Sequence, residues 1–484
     1  MKKSAPDELT LRSPIPFLPG SNGEHWPKTP DARDRRAAEL FRTMVDERAR
    51  KLGVSRRAFL KSTAGTATAL FVINQAYGCG GGNDGPGYAI DAGATIDSAQ
   101  ACEALAGDEF IFDVQTHHVN PMGGWRQASP AWVGFFESLP QAGCADAMSR
   151  LECLDTKHYV REMFVHSDTH MAVLSAVPAE PGADPLSADE QRSTRDLVAA
   201  LSSSPRLVTH GLVLPERGAA QLDGMQRLAE QVKIAAWKVY TPYGNWRLDN
   251  DAVAGPFYAK ARALDIKLIC AHKGLPLPGF DPAFASPDDV GPAAVANPDL
   301  KFLIYHSAYE TSVVEGPYNE AEAAPQGVNR LVRTMLTSGN PRNVYAELGS
   351  TWRNVMTSPD QAAHVLGKLL KYVGVDRVVW GTDSIFYGSP QDQIAALRTF
   401  QIPQQMQETY GYPALTDEVK RKVFGLNAAE AYGVDPQATL CAISEDDLSS
   451  LRTQARAEGV DRAPSAGPRT RRELLSFLRT SGPG

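Results

Sequence analysis

Eight short apolar runs recur along the middle of this 484-residue chain, and they constrain its fold more than any other feature. Each run is continuous rather than alternating in polarity, which is typical of strands buried on both faces of a parallel sheet. Helix-length segments separate the runs, so the pattern predicts an α/β fold, a TIM-type (β/α)8 barrel. An open doubly wound sheet is the alternative, but no G-x-G-x-x-G follows the first run. The runs are 110–118, 171–178, 207–216, 234–242, 266–274, 300–308, 343–350 and 377–384.

The segments around these runs predict the rest of the organisation. Helical periodicity marks 187–201, 218–232 and 256–264, and the first of these opens with a Ser187–Glu190 capping box. The long segment 119–170 carries four large aromatic residues and forms either a lid over the barrel mouth or a satellite packing layer. The predicted divisions are an N-terminal extension (1–54), a signal (55–79), a linker (80–107), the barrel (108–435) and a helical C-terminal tail (436–484).

Residues 55–61, Ser-Arg-Arg-Ala-Phe-Leu-Lys, resemble a twin-arginine export signal at every specified position. The uncharged stretch 62–78 follows, and it is too short and too weakly apolar for a comfortable membrane span. The sequence therefore predicts export by the twin-arginine machinery to the periplasm or the extracellular space. Contact with a membrane would be limited to this signal or to a lipid anchor at Cys79, where the preceding residues match a lipobox only loosely.

The charge and the cysteine content exclude several classes of protein. A net charge of -7 gives no reason to expect nucleic acid as a partner. Six cysteines are too few for a disulfide scaffold at this length. Cys270 is expected to be a buried thiol, whereas pairing of Cys144 with Cys153 stays open, as does assembly into a homo-oligomer.

Polar residues collect where the predicted strands end, which is the face that carries active sites in barrels. The period of two in a strand places Asp113, Gln115 and His117 on one face of the first run. Several imidazoles and a carboxylate that converge on one mouth are typical of a divalent transition-metal site. The later runs contribute Lys238, His272, His306 and Asp383.

In these motifs the chain resembles the amidohydrolase superfamily, and within it the amidohydrolase-related family that includes aminocarboxymuconate-semialdehyde decarboxylase. The family's opening D-x-H-x-H strand is similar to Asp113-Val-Gln115-Thr-His117, with Gln115 in place of the first histidine. The resemblance covers roughly residues 110–435, the whole predicted barrel. The further matching motifs are Trp237-Lys238, Ala271-His272, Tyr305-His306, Trp380-Gly-Thr-Asp383 and the closing Asn427-Ala-Ala-Glu-Ala-Tyr432.

The resemblance implies a metal-dependent hydrolase or non-oxidative decarboxylase that acts on a small organic substrate. One divalent ion, with zinc as the first choice, would be held by Gln115, His117, His272 and Asp383 and would activate a water. Asp383 would also move the proton, His306 would orient the substrate or an oxyanion, and Lys238 would bind a substrate carboxylate. Because a carboxamide oxygen is a weaker ligand than imidazole, Gln115 predicts weak metal binding. The alternative is a metal-poor exported barrel that acts as a binding or surface protein.

Overall fold

The fold was obtained as a computed structural model, which describes residues 13–17, 30–77, 87–139, 151–202, 204–275, 280–444 and 446–458. Cys79, Cys144 and the arginine-rich end of the C-terminal tail lie outside the described residues. Cys153 is disulfide-bonded. Cys270 is a buried free thiol, as the sequence predicts.

Eight parallel strands form one sheet in which every strand pairs with its neighbours in chain order. A bridge between Thr116 and Ser384 brings the first strand back to the segment after the last, so the sheet curls into a nearly closed barrel. The predicted TIM-type fold is confirmed, and each strand lies inside one predicted apolar run. The strands are β1 (Phe112–Thr116), β2 (Met171–Leu174), β3 (Leu207–Leu212), β4 (Ala236–Val239), β5 (Leu268–His272), β6 (Lys301–Tyr305), β7 (Val344–Glu347) and β8 (Val378–Val379).

Helices surround the strands, as a (β/α)8 fold requires. Ala188–Ala200 begins with the predicted capping box, in which Ser187 and Glu190 each bond to the other's backbone N–H. Asp251–Ala263 begins five residues before the predicted start at Pro256, because Asn250 caps the helix there. The other helices around the barrel are Ala219–Arg227, Thr241–Gly244, Pro282–Ala285, Val290–Ala296, Val328–Thr337, Thr351–Val355, Pro359–Lys368 and Gln391–Thr399, with π-helical continuations at Leu228–Val232 and Leu369–Gly374.

The N-terminal region forms a helical layer against the outside of the barrel. Thr63–Tyr77, which covers the apolar part of the predicted signal, contacts Ala32–Lys51, Ser98–Leu105 and Pro359–Lys368. This helix is uncharged and apolar over most of its surface, and such a helix is stable in water only when other elements cover it. Its residues Ala69, Leu70 and Ile73 are completely buried. Arg56–Leu60 precedes it, with Ser55 as its N-cap.

Part of the predicted linker is also ordered into this layer. The short strand Gly87–Tyr88 pairs antiparallel with Phe400–Gln401, which follows the last helix of the barrel. The 3₁₀ turn Ala92–Thr95 packs against Thr63–Tyr77. Among the described residues, no helix is both long enough and apolar enough to cross a membrane.

The insertion after β1 and the C-terminal residues complete the molecule. The insertion contributes Trp125–Ala128, Pro130–Ser138, Leu151–Leu154, Thr156–Val160 and Arg161–Val165. Its aromatic side chains form a second hydrophobic cluster that includes Phe386, from the loop after β8. The predicted C-terminal tail is helical where it is described, and a buried ion pair joins Arg206, before β3, to Asp446. The C-terminal helical segments are Gln404–Tyr410, Asp417–Arg421, Lys422–Leu426, Asn427–Tyr432, Pro436–Ile443 and Asp447–Glu458.

Candidate active site

Three histidines at the mouth of the barrel are each anchored by a backbone carbonyl. His117 Nδ1 donates to the Ser175 carbonyl at 2.7 Å, and His306 Nδ1 donates to the Gly349 carbonyl at 2.8 Å. His272 Nε2 donates to the Leu275 carbonyl at 3.0 Å. Where the ring is neutral, such a bond fixes the tautomer and leaves the opposite ring nitrogen as an acceptor. Histidines that bind metals in proteins are held in this way.

The acceptor nitrogens of these rings face one another and the carboxylate of Asp383. His272 Nδ1 lies 3.3 Å from His306 Nε2, and His117 Nε2 lies 3.3 Å from Asp383 Oδ1. Burial lowers the pKa of the His306 imidazole to about 4. Burial, with His306 and Lys238 nearby, holds the pKa of His272 well below its usual range. Both rings are therefore neutral at pH 7, and their facing lone pairs make the pocket attractive to a cation.

Asp383 is held by groups on three sides. Ser350 Oγ donates to Asp383 Oδ2, and the Tyr387 hydroxyl lies 2.8 Å from the same Ser350 oxygen. Burial alone would raise the pKa of Asp383, but the opposing effects of His306, His117 and Ser350 lower it to about 2. The carboxylate is therefore ionised at neutral pH, and its Oδ1 atom points toward the histidines.

Gln115 lies between these groups. Its Nε2 atom donates to Asp383 Oδ1 at 2.5 Å and lies 3.4 Å from His306 Nε2. Its Oε1 atom is buried and has no hydrogen-bond partner among the described residues. As the side chains stand, no group of three or more His, Cys, Asp or Glu residues in the described chain is arranged to hold a metal ion. Gln115 Nε2 lies between Asp383 and His306, where it can keep these two potential metal ligands apart.

Two other predicted residues lie outside this group. Asp113 is buried and accepts a hydrogen bond from the Thr382 hydroxyl at 2.5 Å. It also accepts the backbone N–H groups of Gln115 and Thr382, so it joins β1 to the loop after β8. Lys238 is completely buried one layer below His272, because it is level with Cys270 in the β4–β5 register. Its ammonium lies 3.2 Å from the centre of the Tyr305 ring. The structure therefore places the Lys238 charge beneath the histidines.

Sequence reasoning missed Glu347, a fully buried carboxyl at the end of β7. It accepts the backbone N–H of His306 at 3.0 Å and that of Gly349. Burial raises its pKa well above the ordinary value. A Cβ on Gly381 would collide with Glu347, so only glycine leaves room for the carboxyl there. Its position at a strand end was the available signal, but the seventh run contributes no histidine that would draw attention to it.

The backbone at the mouth is unusual at three of these positions. His306, Ser350 and Asp383 adopt positive φ angles of 63°, 55° and 61°. Left-handed conformations are unfavourable for residues with a Cβ, and they cluster at functional sites where the surroundings enforce them. The hydrogen bonds to Glu347, Tyr387 and Gln115 provide that enforcement.

Aromatic rings border the two outer histidines. Phe386 stacks on His117 with ring centres 4.7 Å apart, and Tyr240 stacks on His272 at 5.1 Å. Phe136 of the insertion packs on Phe386 at 5.6 Å, so the insertion reaches the site through this ring. His118 points away from the mouth, and its Nε2 atom bonds to Thr194.

Comparisons with known proteins identify the family of this chain. The sequence profile of the amidohydrolase family matches residues 113–434, which is more than half of the chain. No curated protein sequence matches the chain. Similar solved structures include 5-carboxyvanillate decarboxylase from Sphingomonas paucimobilis (15% identity, TM-score 0.40, 68% of this chain and 100% of that one). Dihydroxybenzoic acid decarboxylase from Polaromonas sp. with bound manganese is similar at 13% identity and a TM-score of 0.40, over 67% of this chain and 97% of that one. An amidohydrolase from Burkholderia multivorans with bound zinc is similar at 14% identity and a TM-score of 0.40, over 67% of this chain and 100% of that one. The match across the barrel places this chain in the amidohydrolase family.

Proposed function

We propose that the chain is a metal-dependent hydrolase or non-oxidative decarboxylase of a small organic substrate. The observation that carries the proposal is a set of three carbonyl-anchored imidazoles at one mouth, in which His272 and His306 face each other and His117 faces an ionised aspartate. Two ligands bound to one tetrahedral zinc at about 2.0–2.1 Å lie about 3.3 Å apart. The separation of His117 Nε2 and Asp383 Oδ1 is 3.3 Å. This pair therefore has the spacing of two ligands of one divalent ion, and the other donors have the chemistry of ligands but not yet the arrangement.

In this proposal His117, His272 and Asp383 hold the ion, and Gln115 adds a weaker oxygen ligand. A divalent ion at this position would polarise a substrate oxygen and lower the pKa of a coordinated water. Asp383 accepts a proton and returns it to the leaving group or to the carbon that loses carbon dioxide, because it is ionised at neutral pH. Ser350 holds the second carboxylate oxygen during both transfers.

The remaining residues bind and orient the substrate. His306 Nε2 lies beside His272 and faces the same space, where it can accept a hydrogen bond from a substrate hydroxyl. Lys238 contributes a positive charge beneath the mouth, which attracts an anionic substrate and disfavours protonation of His272 and His306. The residues at the site serve hydrolysis and decarboxylation equally, so the two reactions share one proposal.

The test is zinc affinity measured by calorimetry on the full chain. His272→Ala and Asp383→Asn are each expected to weaken zinc by more than about 100-fold, because each removes a ligand. Gln115→His is expected to tighten it, since imidazole is the stronger ligand. His306→Asn should leave zinc bound, and His364→Ala, outside the site and beside Tyr412, is the control. If wild type binds no divalent ion, the binding-protein alternative replaces this proposal.

A panel of substrates separates the two reactions. Carboxylated phenols would release carbon dioxide from a decarboxylase, whereas lactones and amides would release acid or amine from a hydrolase. The His272→Ala protein is the control for background reaction. Turnover of neither class by a zinc-loaded or manganese-loaded chain would contradict the catalytic proposal.

We also propose that the chain is exported by the twin-arginine route and that it keeps its N-terminal helices. The resemblance of residues 55–61 to the signal supports export. Burial of Thr63–Tyr77 supports retention, because removal of residues 1–79 would uncover the apolar surface packed against it. Cell fractionation of wild type and of an Arg56→Lys, Arg57→Lys variant tests the route. Equal export of both proteins contradicts the route, and a mature form that begins after residue 79 contradicts retention.

A further inference from the structure

The carboxamide of Gln115 bonds through one end only. Its Nε2 end donates to Asp383 Oδ1 and approaches the free nitrogen of His306, as a cation between them would. Because His306 Nδ1 donates to the Gly349 carbonyl, the Nε2 nitrogen of that ring is an acceptor. The two amide hydrogens thus face the two groups that most need a positive partner. The nitrogen end of the side chain therefore occupies the position between Asp383 and His306 that a metal ion would take.

The oxygen end of the same carboxamide is in an unfavourable place. Gln115 Oε1 is buried and has no hydrogen-bond donor among the described residues. A Cβ on Gly349 would collide with both Gln115 Oε1 and Glu347 Oε1, so the two oxygens border the same small space. The Gly349 N–H donates to Glu347 Oε1, but no described group donates to Gln115 Oε1, so this orientation leaves one buried acceptor unpaired.

Rotation of the carboxamide by half a turn about its last bond would exchange these two ends. Oxygen and nitrogen have nearly the same size, and the terminal torsion of a glutamine is broad and roughly two-fold. After the rotation Nε2 would face Glu347 Oε1, which is an acceptor, and Oε1 would face Asp383 and His306. That orientation is repulsive unless a cation lies between the three groups.

We propose that Gln115 is a metal-responsive switch whose carboxamide turns over when a divalent ion binds. In the metal-free chain Nε2 holds Asp383 and His306, and in the metal-bound chain Oε1 becomes a ligand while Nε2 donates to Glu347. The inference rests on the proposed function, because it requires an ion at this site. It assigns to Glu347 the second role of receiving the amide. An incoming ion must first break the bond between Gln115 and Asp383, and this cost is a second reason to expect weak metal binding.

The side-chain amide signals of the full chain, labelled with ¹⁵N-glutamine, test the switch during a zinc titration. In the metal-free protein one Gln115 amide proton should resonate downfield, because it is bonded to a carboxylate at 2.5 Å. One equivalent of zinc should move that signal upfield. Gln391 provides a matched control within the same molecule, because its amide bonds to the Asp168 carboxylate at 3.0 Å outside the site. The Gln391 signal should not move.

Two routes assign the signal, so the test does not depend on one variant. Gln115→Glu should remove it, and contacts between the amide protons and the His306 ring should identify it in wild type. Zinc binding measured by calorimetry on the same sample separates the outcomes. Bound zinc with an unmoved Gln115 signal overturns the switch and leaves the proposed function intact. Absence of zinc binding overturns both.

Discussion

Single residues behind the mouth set the geometry of the groups that face it. His306 has a left-handed backbone conformation, and Glu347 stabilises it by accepting the backbone N–H of that residue. The same carboxyl accepts the N–H of Gly349, whose carbonyl holds the His306 ring. One buried carboxyl therefore fixes both the backbone and the ring of a proposed catalytic histidine. Burial raises the pKa of this carboxyl well above its ordinary value.

Replacement of this carboxyl should destabilise the fold. Glu347→Ala leaves two buried N–H groups without an acceptor, at about 1–3 kcal/mol each. We expect the free energy of unfolding to fall by about 3 kcal/mol, measured by urea denaturation. Glu320→Ala removes an exposed carboxyl of the same type and should change stability by less than about 0.5 kcal/mol. Equal stability of the two variants would show that Glu347 does not hold the mouth together.

Among the elements, the helix Thr63–Tyr77 combines two properties that are rarely found together. Its sequence follows a segment that resembles a twin-arginine signal and carries no charge, yet it is largely buried within the N-terminal layer. Tyr88, just beyond the helix in the chain, bonds through its hydroxyl to the Met356 carbonyl of the barrel. Arg33 forms an exposed ion pair with Asp360 across the same boundary, at 3.5 Å, and such pairs contribute little. Apolar burial therefore stabilises the contact.

A charge inside this helix distinguishes a structural element from a dispensable leader. Ala69→Asp buries a carboxylate without a partner and should lower the free energy of unfolding by more than about 3 kcal/mol. Gln75→Asp places the same charge on the exposed face of the same helix and should have little effect. Differential scanning calorimetry of both proteins measures the difference. Equal melting temperatures would mean that the helix does not belong to the folded protein.

At the scale of the whole molecule, polar contacts join the barrel to the segments outside it. Asp168, at the end of the insertion, pairs with Arg398 of a barrel helix and with Arg456 of the last described helix. Its neighbour His170 accepts the backbone N–H of Ile111 through Nδ1 at 3.1 Å and lies near Arg206 and Arg452. Burial, followed by those two arginines, lowers the pKa of His170 to about 3.

This histidine makes stability depend on pH. The unfolded chain takes up a proton near the ordinary histidine pKa of about 6.5, and the folded chain takes it up only near 3. Between these values the unfolded state binds more protons, so stability falls as pH decreases. His170→Asn keeps an acceptor for the Ile111 N–H but does not titrate. Between pH 7 and 5 the free energy of unfolding of this variant should therefore fall by about 2 kcal/mol less than that of wild type. Urea denaturation at both pH values measures the slopes, and parallel slopes would contradict this assignment.

The sequence by itself determined the fold class and the order of the motifs. Eight continuous apolar runs require eight strands buried on both faces, and a barrel brings the ends of those strands to one mouth. The placement of His117, His272, His306 and Asp383 around that mouth follows from this rule, and the structure brings them together. Strand boundaries were predicted less well, because the polar ends of the runs belong to loops.

Only the tertiary structure decided how these side chains are paired. Glu347 reaches the backbone of His306 from a neighbouring strand, and Gln115 bridges residues that lie 268 and 191 positions away in the chain. No local pattern encodes such contacts, since they depend on the curvature of the closed sheet. The same holds for Thr63–Tyr77, whose composition fits both an export signal and a buried helix. What distinguishes the two is the apolar surface that covers it, and that surface forms only when distant parts of the chain pack together.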